Sequence, residues 1–267
     1  MHRSRTKSTR GRGSDDVPLA DRAADWVGEA IFNGHIAVWS WHVADARGLL
    51  PPGMELAEVP SALATAPDRH PVVFVHGEQT RGANFFAGIP LRSGLAYHEA
   101  GILVPFVRRR GRAASLTTAV PAMYADFFPP VWHDEAYYGL GKRLVAFRRE
   151  GLHRLCVSRE GRVLLDLVAE PRGEWRPAAS CAEAVLEFIR TVAALPIVGR
   201  MSDGSFVGSH FLWDFRPAFV RAADSLVELH AGAVDGVPPR SCPDVRAGTL
   251  EVRDLVWRLG WPGRYEP

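Results

Sequence analysis

The sequence has almost no lysine. Of its 32 basic residues only Lys7 and Lys142 are lysines, and all the others are arginines. A lineage that replaces lysine by arginine nearly everywhere keeps lysine where an amine is required, because the very high pKa of a guanidinium excludes it as an amine nucleophile. Lys7 lies in the N-terminal segment, so composition draws attention to Lys142. Chance survival of one lysine on a solvated face is the simpler explanation at this stage.

Cysteine and long apolar runs are also scarce. The three cysteines, Cys156, Cys181 and Cys242, are odd in number and widely separated. This spacing argues against a disulfide framework or a zinc site and favours reduced thiols. No stretch approaches the roughly 18 consecutive apolar residues of a membrane span, and no apolar signal-peptide core follows the basic N-terminus. We therefore expect a cytoplasmic protein that contacts no membrane and needs no metal or redox cofactor.

The charge balance excludes a strongly basic body. The formal net charge is +2, and the first twelve residues alone carry Arg3, Arg5, Lys7, Arg10 and Arg12, so the remainder is slightly acidic. The basic run could contact nucleic acid or anionic lipid, but a short Arg/Ser/Thr/Gly segment is more often disordered. The sequence thus predicts a disordered basic tail over residues 1–16 and a single domain over 17–267, without a nucleic-acid partner.

Hydrophobic periodicity predicts two helices. Small and aliphatic residues recur at helical spacing from about 19 to 31, which predicts an opening helix. A second helix is predicted over 181–195, where Ser180 and Glu183 form a capping-box pattern and one apolar stripe ends before Pro196.

The rest of the chain reads mainly as strands. Turn residues at 149–151 and 159–161 predict consecutive tight hairpins and hence antiparallel pairing. The sequence therefore predicts an α+β fold that is β-rich, with a closed or strongly curved antiparallel sheet, barrel-like or cone-like, and a few packed helices. The predicted strands cover 36–43, 71–76, 95–107, 114–124, 142–148, 152–158, 162–169, 205–213, 225–234 and 248–260.

Lys142 stands where a nucleophilic lysine would need to be. A neutral lysine amine that attacks a carbonyl gives a protonated imine, which acts as an electron sink. An ordinary lysine has a pKa of about 10.4 and is neutral only about once in a thousand at pH 7.4, so an apolar setting or a second cation is required. Lys142 lies in the apolar stretch YYGLGKRLVAF, with Arg143 beside it. Sequence neighbours on a strand point to opposite faces, so this adjacency is weak evidence for proximity.

Three segments resemble the acetoacetate decarboxylase family. YGLGKRLV, from Tyr138 to Val145, is similar to the family signature around its Schiff-base lysine, and GLAYHEAGILVPF (94–106) is similar to the strand that carries its active-site glutamate. ADARGLLP (44–51) resembles the short helix and proline after the first family strand. The resemblance extends from about residue 36 to 147. It implies the acetoacetate decarboxylase-like fold, a small-molecule carbonyl substrate and a homo-oligomer, without a cofactor.

The resemblance also implies roles for individual residues. Lys142 matches the nucleophile and Glu99 the acid/base glutamate. Arg143 matches a second lysine whose charge favours the neutral amine, and a second family glutamate falls near Asn84. Tyr97 has the same strand parity as Glu99, so both can face one side. The predicted catalytic residues are Lys142 and Glu99, and the predicted pKa-tuning or substrate-binding residues are Arg143, Tyr97, Tyr138 and Asn84.

Departures from the family pattern bear on the reaction. Gly141 replaces the proline before the nucleophile, and residues 133–136 replace a tight Gly-Arg-Glu turn. The arginine of the first family strand has no counterpart between Arg22 and Arg47. These changes argue against simple decarboxylation of acetoacetate and favour the family's divergent aldolase-dehydratases or cyclising enzymes. His133, Asp134 and Glu135 are consecutive, so they cannot all face one metal.

The main hypothesis is a Schiff-base-forming lyase that acts on a keto acid or related carbonyl compound, by decarboxylation or by aldol and dehydration chemistry through an enamine. Specialised metabolism is the setting that we expect for such an enzyme. Two alternatives stay open. One is a non-covalent cyclase or isomerase that uses Glu99, and the other is a catalytically inactive small-molecule-binding protein.

Overall fold

The computed structural model describes residues 26–60, 66–86, 89–92, 94–111, 116–150, 154–243 and 248–265. The predicted basic tail lies outside these ranges. Within them the chain forms seventeen strands, three α-helices and one 3-10 turn.

The helices are α1 (Val43–Gly48), α2 (Phe128–Tyr137) and α3 (Ala184–Ala193), and the 3-10 turn covers Ala178–Ser180. The strands are β1 (Trp26–His42), β2 (Met54–Leu56), β3 (Arg69–Phe86), β4 (Ile89–Arg92), β5 (Tyr97–Arg109), β6 (Thr117–Ala125), β7 (Lys142–Leu144), β8 (Ala146–Glu150), β9 (Arg154–Arg159), β10 (Arg162–Pro177), β11 (Ile197–Arg200), β12 (Phe206–Ser209), β13 (Phe211–Asp214), β14 (Phe219–Leu229), β15 (Arg240–Pro243), β16 (Thr249–Gly260) and β17 (Gly263–Arg264).

One long antiparallel series forms the frame of the sheet. It runs β8-β9-β10-β14-β16-β1-β3-β5-β6, and every neighbouring pair in this series is antiparallel. The far edge of β6 pairs in parallel with β11 near one end and with β7 near the other. Among the described strands, hydrogen bonds do not close the sheet. The two ends of the series, β6 and β8, are connected by the chain: β7 pairs with β6, and β8, the next strand in the sequence, pairs with β9.

Both faces of the sheet are packed, which explains why its strands are so apolar. Alternate residues of β1, β3 and β5 point to opposite sides, so that Trp39, Phe74 and Ile102 belong to one core cluster while Val38 and Val73 belong to another. The apolar stripe of α3 packs into the second cluster through Leu186, Ile189 and Val192. Burial on both faces fixes the strand register, because a shift by one residue would exchange the two cores.

The predicted fold class is confirmed: the chain is a β-rich α+β structure with few helices and mainly antiparallel pairing. The hairpin predicted at 159–161 joins β9 to β10, with Glu160 and Gly161 both at positive φ as a tight turn requires. β8 and β9 pair as the first predicted hairpin requires, although its turn continues into residues outside the described ranges. Among the described residues, no helix is long and apolar enough to cross a membrane.

The opening helix is the main error in the predicted elements. From Trp26 onward the chain is β1, hydrogen-bonded to β16 on one side and to β3 on the other. Hydrogen bonds to two neighbouring strands stabilise the extended conformation of this segment. The helical spacing of its small residues favours a helix only weakly, since it includes Gly28, a poor helix former.

Local details differ at three further places. The predicted helix at 181–195 exists as α3, but it begins later, with Glu183 as an N-cap that makes no side-chain capping bond. Ser180 lies in the 3-10 turn and donates its hydroxyl hydrogen bond to the Pro177 carbonyl. The predicted strands 142–148 and 205–213 are each interrupted, at Val145 and His210.

Candidate active site

Lys142 and Glu99 meet at one point of the sheet. The Lys142 Nζ lies 2.8 Å from the Glu99 Oε2, and only 10% and 12% of the two side chains are exposed. Lys142 comes from β7 and Glu99 from β5, the two strands that flank the end of β6. Met123 of β6 pairs with Lys142 on one side and with Gly101 on the other. The long lysine side chain therefore reaches across β6 to Glu99, which lies two residues before Gly101 on β5.

Asp134 holds the backbone that leads into β7. This aspartate lies in the last turns of α2 and is 3% exposed. Its carboxylate accepts hydrogen bonds from the backbone N–H groups of Leu140 (3.1 Å) and Lys142 (2.9 Å). Burial raises the pKa of the Asp134 carboxyl, and the nearby Lys142 charge and these two N–H groups partly oppose that shift. From the sequence, Asp134 was weighed only as a metal ligand; in the structure it positions the backbone of Leu140 and Lys142.

Two glycines let the same loop lie directly against β11. Gly139 has a φ of +60°, and its carbonyl accepts a hydrogen bond from the Arg200 N–H at 2.8 Å. A Cβ on Gly199 would lie 2.0 Å from the Tyr138 carbonyl oxygen, and a Cβ on Gly139 would lie 2.6 Å from the Arg200 carbonyl carbon. Neither position accommodates a side chain without moving backbone, so the glycines and Asp134 together fix where Lys142 begins.

The Lys142–Glu99 pair lies in the wall of a mostly apolar cavity that opens to solvent. The cavity contains about 750 Å³ of space including its mouth. Apart from Lys142 and Glu99, the polar side chains in its lining are the Gln79 amide and the indoles of Trp213 and Trp257. The remaining lining residues are Phe32, Val75, Gly101, Leu103, Val120, Met123, Leu140, Ile197, Phe211, Leu255 and Leu259.

Gln79 is a residue of the candidate site that was not predicted from the sequence. It is 4% exposed, and the Trp257 indole N–H donates a hydrogen bond to its Oε1. Because an indole can only donate, this bond orients the amide and leaves the Gln79 NH2 group as a donor for a ligand. The strand predicted over 71–76 ended three residues before Gln79, whereas the observed strand β3 continues through it, so no local signal in the sequence placed this amide in the site.

Tyr97 is a partner of Glu99. The phenol hydrogen-bonds to the Glu99 carboxylate, and burial, together with the Glu99 charge, raises the pKa of Tyr97 well above its ordinary value. The structure therefore brings together Lys142, Glu99 and Tyr97 among the predicted site residues.

Three other predicted site residues lie elsewhere. Arg143 points away from Lys142, and its guanidinium contacts the Gly232 carbonyl (3.0 Å) and the Asp235 carboxylate (2.8 Å). Tyr138 is buried behind the cavity and donates its hydroxyl hydrogen bond to the Gly260 carbonyl at 2.9 Å. Asn84 is exposed on β3, five residues beyond Gln79. Strand alternation explains the position of Arg143, because neighbouring residues on a strand point to opposite faces.

His98 also lies away from Lys142, as its strand parity predicts. Its Nδ1 is 3.0 Å from the Asp126 carboxylate, and its ring stacks on Phe147. Among the described residues no three His, Cys, Asp or Glu side chains cluster as metal ligands would.

Comparison with solved structures identifies the fold. An acetoacetate decarboxylase from Legionella pneumophila superposes with a TM-score of 0.56 at 15% identity, covering 89% of this chain and 88% of that one. An acetoacetate decarboxylase-like enzyme from Sphingomonas wittichii RW1 gives 0.57 at 14% identity, covering 91% and 94%. The enduracididine biosynthesis enzyme MppR complexed with pyruvate gives 0.53 at 13% identity, covering 89% and 90%.

The chain has the acetoacetate decarboxylase-like fold. No protein-family model matches the sequence, and no curated protein matches it. The family resemblance seen in three short segments thus corresponds to an acetoacetate decarboxylase-like fold over about nine tenths of the chain.

Proposed function

We propose that the protein is a Schiff-base-forming lyase that acts on a keto acid or related carbonyl compound, with Lys142 as the nucleophile and Glu99 as the acid/base group. The observation that carries this proposal is the 2.8 Å contact between the Lys142 amine and the Glu99 carboxylate in the wall of an apolar cavity. A buried amine next to a proton acceptor is the arrangement that imine chemistry requires.

The contact supplies the first proton transfer. Lys142 must lose a proton to become a nucleophile, and the Glu99 Oε2 already accepts a hydrogen bond from its Nζ. Moving that proton to Glu99 gives a neutral amine and a neutral carboxylic acid, which the apolar surroundings tolerate better than separated charges. Arg143, the cation that the family resemblance implied beside Lys142, contacts Gly232 and Asp235 instead, so the proposal relies on Glu99 as the proton acceptor.

The following steps use the same two groups. The amine adds to the carbonyl carbon, and the proton held by the Glu99 acid passes to the oxygen to give the carbinolamine hydroxyl. The new C–N ammonium group then loses a proton to Glu99, which passes it to the hydroxyl. The hydroxyl leaves as water, and the nitrogen lone pair forms the iminium. The resulting iminium accepts an electron pair either from a breaking carbon–carboxylate bond or from an α-carbon whose proton passes to Glu99. Hydrolysis of the product imine restores Lys142. Tyr97, hydrogen-bonded to Glu99, orients the carboxylate through these transfers.

Proteins with the same fold support a carbonyl substrate. Solved structures of MppR include complexes with pyruvate and with the condensation product of pyruvate and imidazole 4-carboxaldehyde. The other structures with this fold include acetoacetate decarboxylases. We infer a carbonyl substrate and lyase-type chemistry for this chain from the fold and from the lysine–glutamate pair together.

Borohydride trapping tests the proposal. The protein is incubated with pyruvate, acetoacetate or neutral ketones, reduced with sodium borohydride, digested and analysed by mass spectrometry. We expect a reduced adduct on the peptide that contains Lys142, and none on that peptide in Lys142→Arg. The chain offers a matched control, because Lys7→Arg removes the other lysine and should leave trapping unchanged. Trapping only at Lys7 or the N-terminal amine, or none with any carbonyl compound, would contradict the proposal.

A non-covalent cyclase or isomerase is the second candidate, favoured by the Tyr97–Glu99 hydrogen bond, which makes an acid/base pair without the lysine. Turnover that survives Lys142→Arg but is lost in Glu99→Gln would select this alternative. Ligand binding that is unaffected by Lys142→Ala, with no adduct and no turnover, would select a binding protein.

A further inference from the structure

The cavity next to Lys142 has a continuous aromatic wall on β13 and β16. Phe211 stacks on Trp257 with ring centroids 5.1 Å apart and planes 17° from parallel, and it meets Trp213 edge-on at 5.9 Å. Strand pairing holds these rings in place, since Trp213 lies opposite Trp257 in the β13–β16 ladder. Flat ring faces in a preformed cavity favour a flat, apolar ligand group.

The charge of the site is already balanced. Of the described residues that line the cavity, Lys142 and Glu99 alone carry charges, and they neutralise each other across 2.8 Å. The neighbouring arginines bind elsewhere: Arg258 contacts the Glu29 carboxylate and Arg143 contacts Asp235. A substrate carboxylate would therefore lose its hydration in an apolar cavity without a cation to replace it, and it would also be repelled by Glu99.

We propose, building on the proposed function, that the substrate is an uncharged aldehyde or ketone that carries an aromatic substituent. The ring lies against the Phe211–Trp257 wall, the carbonyl carbon reaches the Lys142 amine, and the Gln79 NH2 group donates to an oxygen of the ligand. Such a substrate has no carboxylate to lose. The iminium therefore loses an α-proton to the Glu99 carboxylate, and the electron pair of the broken C–H bond forms the enamine that serves aldol or dehydration chemistry.

Three methyl ketones that differ only in their tails test this substrate class. They are 4-phenylbutan-2-one with a phenyl tail, levulinate with a carboxylate tail, and pentan-2-one with a methyl tail. Each is titrated in the borohydride assay, and the concentration for half-maximal labelling of Lys142 is measured. Because burying a phenyl group removes a large apolar area from water, we expect the phenyl ketone to label at concentrations at least about tenfold below the other two.

A pair of identical substitutions locates the aromatic subsite. Phe211→Leu should remove most of the preference for the phenyl ketone, while Phe219→Leu, at a phenylalanine that is 41% exposed and outside the cavity lining, should keep it. Equal labelling by the three ketones, or stronger labelling by levulinate, would overturn the substrate class while leaving Lys142 as the nucleophile. Absence of labelling by all three and by the keto acids would overturn the proposed function itself. The ketone series uses the unaltered protein, so it remains decisive even if Phe211→Leu does not fold.

Discussion

At the scale of single residues, the buried lysine–glutamate contact bears on the stability of the fold. Two opposite charges that are about nine-tenths buried stabilise each other, but removing one leaves the other desolvated and unpaired. We expect Lys142→Met and Glu99→Gln each to lower the free energy of unfolding by about 2–3 kcal/mol. The double variant should be destabilised by clearly less than the sum of the two. Urea unfolding of the four proteins measures this coupling, and strictly additive losses would show that the contact does not exist in solution.

Residue chemistry explains which parts of the site could be predicted. The scarcity of lysine drew attention to Lys142, and the family resemblance predicted Lys142 as the nucleophile and Glu99 as the acid/base group. The Arg143 prediction came from the family resemblance, in which this residue matches a second lysine, and strand alternation turns its side chain to the other side. Gln79 was missed because its partner, Trp257, lies far away in the sequence. Long-range hydrogen bonds of this kind leave little trace in local sequence.

At the scale of elements, the three-residue strand β7 depends on what precedes it. Parallel pairing with β6 over three residues holds β7 only weakly. The hydrogen bond from the Lys142 N–H to the Asp134 carboxylate and the close backbone packing at Gly139 and Gly199 also fix its position. Asparagine has one acceptor oxygen and would turn an NH2 group towards a backbone N–H. We therefore expect Asp134→Asn to cost about 1–3 kcal/mol of unfolding free energy and to slow borohydride labelling of Lys142.

Glu135→Gln is the matched control for that prediction, because Glu135 is the next residue along and is exposed on α2. It should leave both the urea midpoint and the labelling rate unchanged. Equal labelling rates in Asp134→Asn and the unaltered protein would show that the carboxylate supports stability alone. Labelling that slows only in proportion to the unfolded fraction would lead to the same conclusion.

Strands and helices with strong apolar periodicity were predicted correctly. The predictions were wrong where pairing with distant strands determines the structure. The strand runs of β3, β5, β10 and β16 and the stripe of α3 were found from apolar patterning, although β3 and β10 extend well beyond the predicted ends. The first part of β1, residues 26–31, was taken for the end of a helix, while the strand predicted over 36–43 matches its second part. Ladders with β16 and β3 on its two sides make the whole segment a strand. Interruptions at Val145 and His210 arise where a strand changes its partner, which no local pattern reveals.

At the scale of the whole molecule, the two faces of the sheet differ in character. The side chains of Val75 and Gln79 face the apolar cavity, and those of His76 and Glu78 line a polar cleft on the other side of β3. Alternation along one strand thus separates the Lys142 cavity from a histidine-containing cleft. The homo-oligomer implied by the family resemblance stays a prediction.

The buried histidine in that cleft makes stability depend on pH. Burial, reinforced by the neighbouring charges of His35, Arg149 and His98, holds the pKa of His76 well below its ordinary value of 6.5. The folded protein therefore keeps His76 neutral, while the unfolded chain binds a proton below about pH 6.5. Unfolding then takes up a proton, so the free energy of unfolding falls as the pH decreases below 6.5, by up to about 1.4 kcal/mol per pH unit for this group.

Urea unfolding between pH 7.5 and 5 measures that slope. We expect His76→Asn to reduce the slope of the unfolding free energy against pH by up to about 1.4 kcal/mol per pH unit, which corresponds to one proton, because asparagine does not titrate. This expectation holds whatever effect the substitution has on stability at neutral pH. His210→Asn, at an exposed histidine, should leave the slope as it is in the unaltered protein. A slope that is the same in both variants would show that His76 is protonated in the folded state as readily as in the unfolded chain. Some slope should persist in His76→Asn, because burial also lowers the pKa of His70, whose Nε2 lies 2.8 Å from the Pro105 carbonyl oxygen.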